Sequence, residues 1–171
     1  MIKKILRSFL LFTFVTGSIY SQPVSDADFE NFWREKQFSI GVGGGLRYMI
    51  PGTLIPTFEV PWLSWRPLSN FQLTAKASLW KDASLLAGYT TSWGRWRWYL
   101  EGGLKVMWKP AEFGISHLGP ELSTGGEYLL NDWLAIGIKC NAGYMFFMGQ
   151  HSVFQDDALD SSVLVSVSLL L

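Results

Sequence analysis

The sequence has few charges, almost no cysteine and little histidine. Charged residues make up 16% of the 171 residues and the net charge is zero, whereas a typical soluble domain is about 25% charged. Without a cluster of Lys or Arg beyond the N-terminus, we expect no nucleic-acid partner. Cys140 is the only cysteine, so an intrachain disulfide is excluded. Because glycine-rich phosphate loops, GxGxxG and CxxC are all missing, we expect no cofactor and no resident metal.

The sequence is instead rich in apolar and aromatic residues. Hydrophobic residues make up 49%, aromatic residues 16%, and there are nine Trp and 17 Gly. This composition excludes a disordered chain, and the length suits one domain. Since no long apolar run occurs beyond the N-terminus, the hydrophobic residues must follow an alternating pattern.

Residues 1–21 are typical of a secretory signal peptide. Three basic residues precede an apolar core over 9–15, and Ser21 offers a small residue for cleavage. The apolar core is shorter than the ~20 residues that a membrane-spanning helix needs. We therefore predict export rather than a membrane anchor.

Residues 22–37 form a predicted periplasmic segment that contains a short amphipathic helix. Acidic residues lie at the start of this helix, and Phe29, Phe32 and Trp33 follow at helical spacing. The apolar stripe fits two placements equally well, one at a membrane surface and one on the rim of the domain.

From Phe38 onwards, apolar residues recur at every second position, which indicates β-strands. Pro56 and Pro61 weaken the second strand, because proline cannot complete a ladder. Most segments have the ~9–11 residues that a tilted strand needs to cross a bilayer. The eight predicted strands are 38–50, 55–65, 69–80, 84–93, 96–108, 117–130, 133–147 and 162–171.

The connections between these strands alternate in length. Those at 66–68, 94–95 and 131–132 are short, whereas those at 109–116 and 148–161 are long. Short periplasmic turns alternating with longer external loops are typical of outer-membrane barrels. The predicted fold over residues 38–171 is therefore an all-β, eight-stranded, antiparallel, up-and-down transmembrane barrel, preceded by the short helix.

Charges within the strands fall on the face opposite the apolar one. This distribution favours a membrane barrel, whose polar face lines a narrow lumen, over a soluble sandwich or lipocalin-like barrel, whose polar face meets water. The predicted lumen charges, which must be paired if buried, are Arg47, Glu59, Lys76, Arg97, Glu101, Lys105, Glu121, Glu127 and Lys139. Glu101 is expected to compensate neighbouring positive charge.

Aromatic residues on the apolar face predict two girdles at the membrane boundaries. Trp98 and Trp108 share a face, and their separation along a tilted strand is roughly 26 Å, close to the ~25 Å apolar band of such barrels. The predicted girdle residues are Trp93, Trp96, Trp98, Trp108 and Tyr144.

The glycine-rich segment 38–46, together with 118–122, 126–128 and 131–137, resembles the small outer-membrane β-barrels of Gram-negative bacteria, of the OmpA and OmpX type. Such barrels usually end in an aromatic residue, whereas this sequence ends in Leu171. The resemblance implies a non-enzymatic structural, adhesive or partner-binding role in the outer membrane. It also implies contacts with outer-membrane lipids, lipopolysaccharide and the barrel-assembly machinery, and leaves any specific protein partner open.

Two enzyme families share this architecture, the lipid A palmitoyltransferases and the lipid A deacylases. The first family uses a His in its first external loop and an adjacent Asp-Ser pair in its second. In this sequence the loop at 51–53 has no His, and Asp82 is separated from Ser84. The second family uses a His-x-Ser arrangement, which is present at neither His117 nor His151. We assign no catalytic residue, and a lipid A-modifying enzyme and a barrel subunit of an envelope transport or secretion complex remain as alternatives.

The two histidines, His117 and His151, fall in or near the two longest predicted external loops. With Asp156, Asp157 or Asp160 they could bind a metal or serve acid–base chemistry. The alternative is that all five are solvated loop residues, because no ligand spacing is present. Cys140 is expected to face lipid as a small apolar residue.

Overall fold

Eight antiparallel strands close into a barrel, each hydrogen-bonded to the next. This computed structural model describes residues 26–50, 52–78, 81–109, 114–148 and 158–171, so the predicted signal peptide lies outside the described residues. The described elements are helix α1 (Asp26–Glu35) and strands β1 (Phe38–Ile50), β2 (Thr53–Leu68), β3 (Phe71–Ser78), β4 (Asp82–Trp93), β5 (Trp96–Lys109), β6 (Gly114–Asn131), β7 (Leu134–Phe147) and β8 (Ala158–Leu170). The predicted eight-stranded up-and-down barrel is confirmed.

The barrel closes where β8 pairs with β1, in an unbroken register from Ser39 opposite Leu170 to Ile50 opposite Leu159. The turns after β2, β4 and β6 are two residues long and lie at the same end as the start of β1, which we call the turn end. The opposite end is the loop end. No helix in the described part of the chain is both long and apolar enough to cross a bilayer.

Strand β2 contains a β-bulge that the alternation did not predict. Gly41 pairs with Trp62 whereas Gly43 pairs with Glu59, so Val60 and Pro61 together oppose the single residue Val42. A bulge suits proline because its extra residue is not paired in the ladder. As a result, Glu59 and Trp62 both face inward although their numbers differ in parity, and both are buried.

Helix α1 packs across the turn end of the barrel. Trp33 is buried against Leu129, Ala135 and Leu170, with Phe29 and Phe32 packed around it. The indole Nε1 of Trp33 donates a hydrogen bond of 3.0 Å to the carbonyl of Gly94 in the β4–β5 turn. Of the two predicted placements, packing on the rim of the domain is therefore the one found, and contact of this rim with a membrane surface stays a prediction.

Candidate functional site

The outer wall of the barrel is apolar. Ile138 is 58% exposed and Val165 is 67% exposed, and outward-facing Leu, Phe and Trp side chains cover all eight strands. By contrast, every charged strand residue whose side chain the structure describes is buried in the lumen. This arrangement is the reverse of a water-soluble barrel, in which the outer face carries the charges.

Aromatic side chains crowd both ends of the outer wall. All five predicted girdle residues face outward and are exposed, with Trp93 the most exposed at 79%. At the turn end, Trp96 stacks on Trp98 with ring centroids 6.1 Å apart and contacts Tyr128 at 4.9 Å. Phe38 stacks on Trp65 at the same end, a pairing that the sequence did not predict.

The described part of the lumen holds equal numbers of acidic and basic side chains. All nine predicted lumen charges are buried in it, and the structure adds Arg66, Asp82 and Asp160. The sequence places these three in turns or loops, but the strands extend over them. The described lumen therefore contains six acidic and six basic residues, besides His117, and is electrically balanced.

Nearer the loop end, two carboxylates hold two cations. The guanidinium group of Arg47 donates two hydrogen bonds of 2.7 Å to Asp160 and a third to Asp82. Lys105 Nζ lies 2.7 Å from the Asp160 carboxylate and 3.9 Å from Glu121. Paired contacts of this kind offset the cost of removing the charges from water.

In the middle of the lumen, Lys76 links two carboxylates. Its Nζ donates to Glu121 at 2.8 Å and to Glu59 at 3.2 Å, and to the side-chain oxygen of Asn141 at 2.8 Å. Lys139 Nζ lies 3.3 Å from Glu59. Together with the contact between Lys105 and Glu121, these bonds join the middle group to the loop-end group in one network.

At the turn end, Arg97 pairs with Glu127, which also accepts a 2.7 Å hydrogen bond from Ser168. The Arg97 guanidinium lies 4.7 Å above the ring of Trp33 from helix α1. Arg66 donates hydrogen bonds of 2.5 and 3.1 Å to the carbonyl of Lys36, just after the helix. The lumen charges thus bind the segment that covers this end.

Glu101 compensates positive charge without a direct ion pair to any described residue, because its charge acts on Arg66 and Lys139. It accepts hydrogen bonds from Thr74 at 2.5 Å and from Gln72 at 3.1 Å. Among the described residues, no cation lies within 4.0 Å of its carboxylate. No direct pair forms within the described part of the lumen because Arg97 and Lys105, the neighbours of Glu101 on the same face of β5, have Glu127 and Asp160 as their nearest partners.

His117, predicted at the start of the sixth strand, lies within β6, whereas the predicted loop position of Asp160 was wrong because β8 begins at Ala158. His117 is buried in β6, where its ring lies 5.5 Å from that of Phe147, and Asp160 belongs to the ion-pair network. His151, Asp156 and Asp157 lie outside the described residues. Among the residues that the structure describes, no group of three His, Cys, Asp or Glu could hold a metal ion.

Cys140, Asp82 and Ser84 all lie within strands. Cys140 is exposed on the outer face of β7, as a lipid-facing residue would be. Asp82 and Ser84 both face inward from β4, and the Ser84 hydroxyl donates to Glu121. These two side chains therefore belong to the packed lumen rather than to an external loop.

No protein-family model and no curated protein matches the sequence. Among solved structures, Neisserial surface protein A is similar with a TM-score of 0.58 at 12% identity, covering 78% of this chain and 97% of that one. The N-terminal β-barrel domain of Pseudomonas aeruginosa OprF has a TM-score of 0.52 at 10% identity, covering 78% and 97%. P. aeruginosa OprG has a TM-score of 0.53 at 9% identity, covering 79% and 96%. The chain has the fold of these small barrels.

Proposed function

We propose that the protein is an integral barrel of a Gram-negative outer membrane, exported by its signal peptide, with a non-enzymatic structural, adhesive or partner-binding role. One observation carries this proposal: every charged strand residue whose side chain the structure describes is buried inside, while apolar side chains are exposed outside. In hydrocarbon, backbone groups must be paired within the protein, and a closed barrel meets that requirement.

The packing of the lumen supports a role that does not involve an open pore. Large side chains such as Arg47, Lys139 and Leu164 are fully buried there, and helix α1 covers the turn end. An eight-stranded barrel is just wide enough for its interior to be filled by side chains. Function is then carried by the outer wall and the two ends, where membrane lipids, lipopolysaccharide or a protein partner would make contact.

Cell fractionation tests the location. The full chain, expressed in a Gram-negative host, should co-sediment with outer membranes and require detergent for extraction. Recovery of folded protein in the soluble periplasmic fraction without detergent would contradict the proposal.

Lipid A mass spectrometry tests the non-enzymatic part. Cells with and without the protein should carry the same lipid A acylation pattern. A change in lipid A acylation that occurs only when the folded barrel is present would favour the lipid A-modifying alternative instead.

A further inference from the structure

Four side chains with nitrogen or sulfur donors line the lumen near its loop end. They are Met49 of β1, Met107 of β5, His117 of β6 and Met145 of β7, which we call the methionine–histidine layer. Met49, His117 and Met145 are 5%, 2% and 0% exposed, and Met107 is half-buried. The three methionines are uncharged and so take no part in the ion pairs of the lumen, and the Nδ1 atom of His117 lies 3.2 Å from the Ser116 hydroxyl.

The strand register places these four residues at adjacent inward positions. Met107 lies directly opposite His117, and His117 lies opposite Phe147, two residues after Met145. On the other side, Met145 pairs with Ala158, and Met49 pairs with Asp160, two residues farther along β8. The layer therefore runs around the wall from β5 through β6 and β7 to β1.

The lumen is narrow enough for side chains of opposite walls to meet at this level. Arg47, two residues before Met49 on β1, places its Nη2 atom 3.8 Å from the Sδ atom of Met107 on β5. Methionine has three flexible side-chain bonds and readily adapts its position. Thioethers from β1, β5 and β7 can thus approach one point near the barrel axis.

We propose that the methionine–histidine layer binds a soft monovalent cation of the Cu(I) type. Thioether sulfur selects Cu(I), and imidazole is a good ligand for copper. Hard cations such as Mg²⁺ or Ca²⁺ prefer oxygen donors, and the carboxylates nearest to the layer, Asp82 and Asp160, are already held by Arg47 and Lys105. These two carboxylates and two cations are electrically balanced, so together they carry no net positive charge that would repel a bound cation.

Binding is tested by titrating Cu(I) into the full chain in detergent micelles, under anaerobic reducing conditions and against a chromophoric Cu(I) chelator. Every protein should carry Cys140→Ala, because the exposed thiol on the outer wall is itself a soft ligand. We expect one Cu(I) per chain and no binding of Mg²⁺. Met107→Leu, Met145→Leu and His117→Phe should each weaken Cu(I) binding by at least about tenfold.

Two matched variants serve as controls. Met148→Leu changes an exposed methionine just after β7, and His151→Ala changes the other histidine; neither should alter the affinity. Leucine replaces methionine at similar volume, and an unchanged unfolding midpoint shows that each barrel is folded. The proposal is overturned if the triple variant Met49→Leu, Met107→Leu, Met145→Leu binds Cu(I) as tightly as its parent, in which case the layer is only an apolar cap. The test needs only the folded barrel, so its result is independent of the proposed envelope role.

Discussion

The ammonium group of Lys139 lies 4.3 Å from the centroid of the Trp62 ring, inside the barrel lumen. The bulge in β2 turns Trp62 inward, and the ring lies over glycines of β1; a Cβ atom on Gly41 would be 2.3 Å from it. The indole thus fills the space that the glycines leave and offers its face to a cation. Such a contact is strongest where water is excluded.

We expect Trp62→Ala to destabilise the barrel by about 3–5 kcal/mol, because it removes a buried aromatic side chain and leaves a cavity. The measurement is denaturant unfolding in detergent micelles. Trp93→Ala, at a site 79% exposed, is the control and should change the unfolding free energy far less. Equal effects of the two substitutions would show that Trp62 is not packed in the lumen.

Two adjacent glycines of β5 should respond differently to the same substitution. A Cβ on Gly103 would lie 2.0 Å from the carbonyl oxygen of Leu85, whereas one on Gly102 would meet nothing within 4 Å. Gly103→Ala must therefore displace backbone of β4, and we expect a loss of at least about 1–3 kcal/mol. Gly102→Ala should be neutral or slightly stabilising. Unfolding midpoints of the two variants check this prediction, and identical midpoints for Gly102→Ala and Gly103→Ala would contradict it.

An arginine on the outer wall should be costly only far from the membrane boundary. Ile138 lies within β7 and is 58% exposed, whereas Leu68 ends β2 and is 63% exposed. Ile138→Arg should cost about 2–4 kcal/mol and reduce assembly, and Leu68→Arg about 0–1 kcal/mol. The yield of folded protein in outer membranes measures both. If Ile138→Arg assembles as well as Leu68→Arg does, the wall does not face hydrocarbon.

Two buried glutamates of the lumen, Glu101 and Glu127, offer a matched test of the ion pairs. Glu127→Gln would leave Arg97 without its carboxylate, and breaking a buried pair in this way costs about 3–5 kcal/mol. Glu101→Gln keeps an oxygen that can accept from Thr74 and Gln72, so we expect a loss of about 1 kcal/mol. Unfolding free energies in micelles should rank the two variants in this order, and the reverse order would mean that Glu101 carries the pairing.

The alternating pattern was sufficient to predict the strands, because a barrel wall with one lipid face and one filled face imposes a period of two. It was less informative at strand ends. Arg66 follows the bulge and precedes a proline, and Asp160 follows a run of acidic loop residues, so both looked like parts of connections. Nothing local shows that Arg47 and Asp160, 113 positions apart in the chain, become neighbours when β8 closes on β1.

The bulge at Val60 and Pro61 was hidden for a related reason. At this bulge the inward-facing positions of β2 change from odd-numbered to even-numbered residues, which brings Trp62 into the lumen. Because both bulge residues are apolar, the hydrophobic pattern does not show this shift. The docking of helix α1 was equally open, since an apolar stripe is the same whether it meets lipid or protein. In each case the deciding contact is made with a distant part of the chain.

Trp33 should act as the anchor that holds helix α1 on the turn end. Its ring is buried against three strand residues, its indole N–H bonds to Gly94, and Arg97 lies on its face. Trp33→Ala removes all three contacts, and a loss of about 3–5 kcal/mol is enough to release a helix of only 10 residues, which is marginal on its own. Hydrogen exchange should therefore quicken across α1 while β4 to β7 stay protected. Arg34→Ala, which changes an exposed side chain of the same helix, is the control. If α1 in Trp33→Ala exchanges as slowly as in this control, the segment after the helix, through Arg66 and Lys36, is what holds it in place.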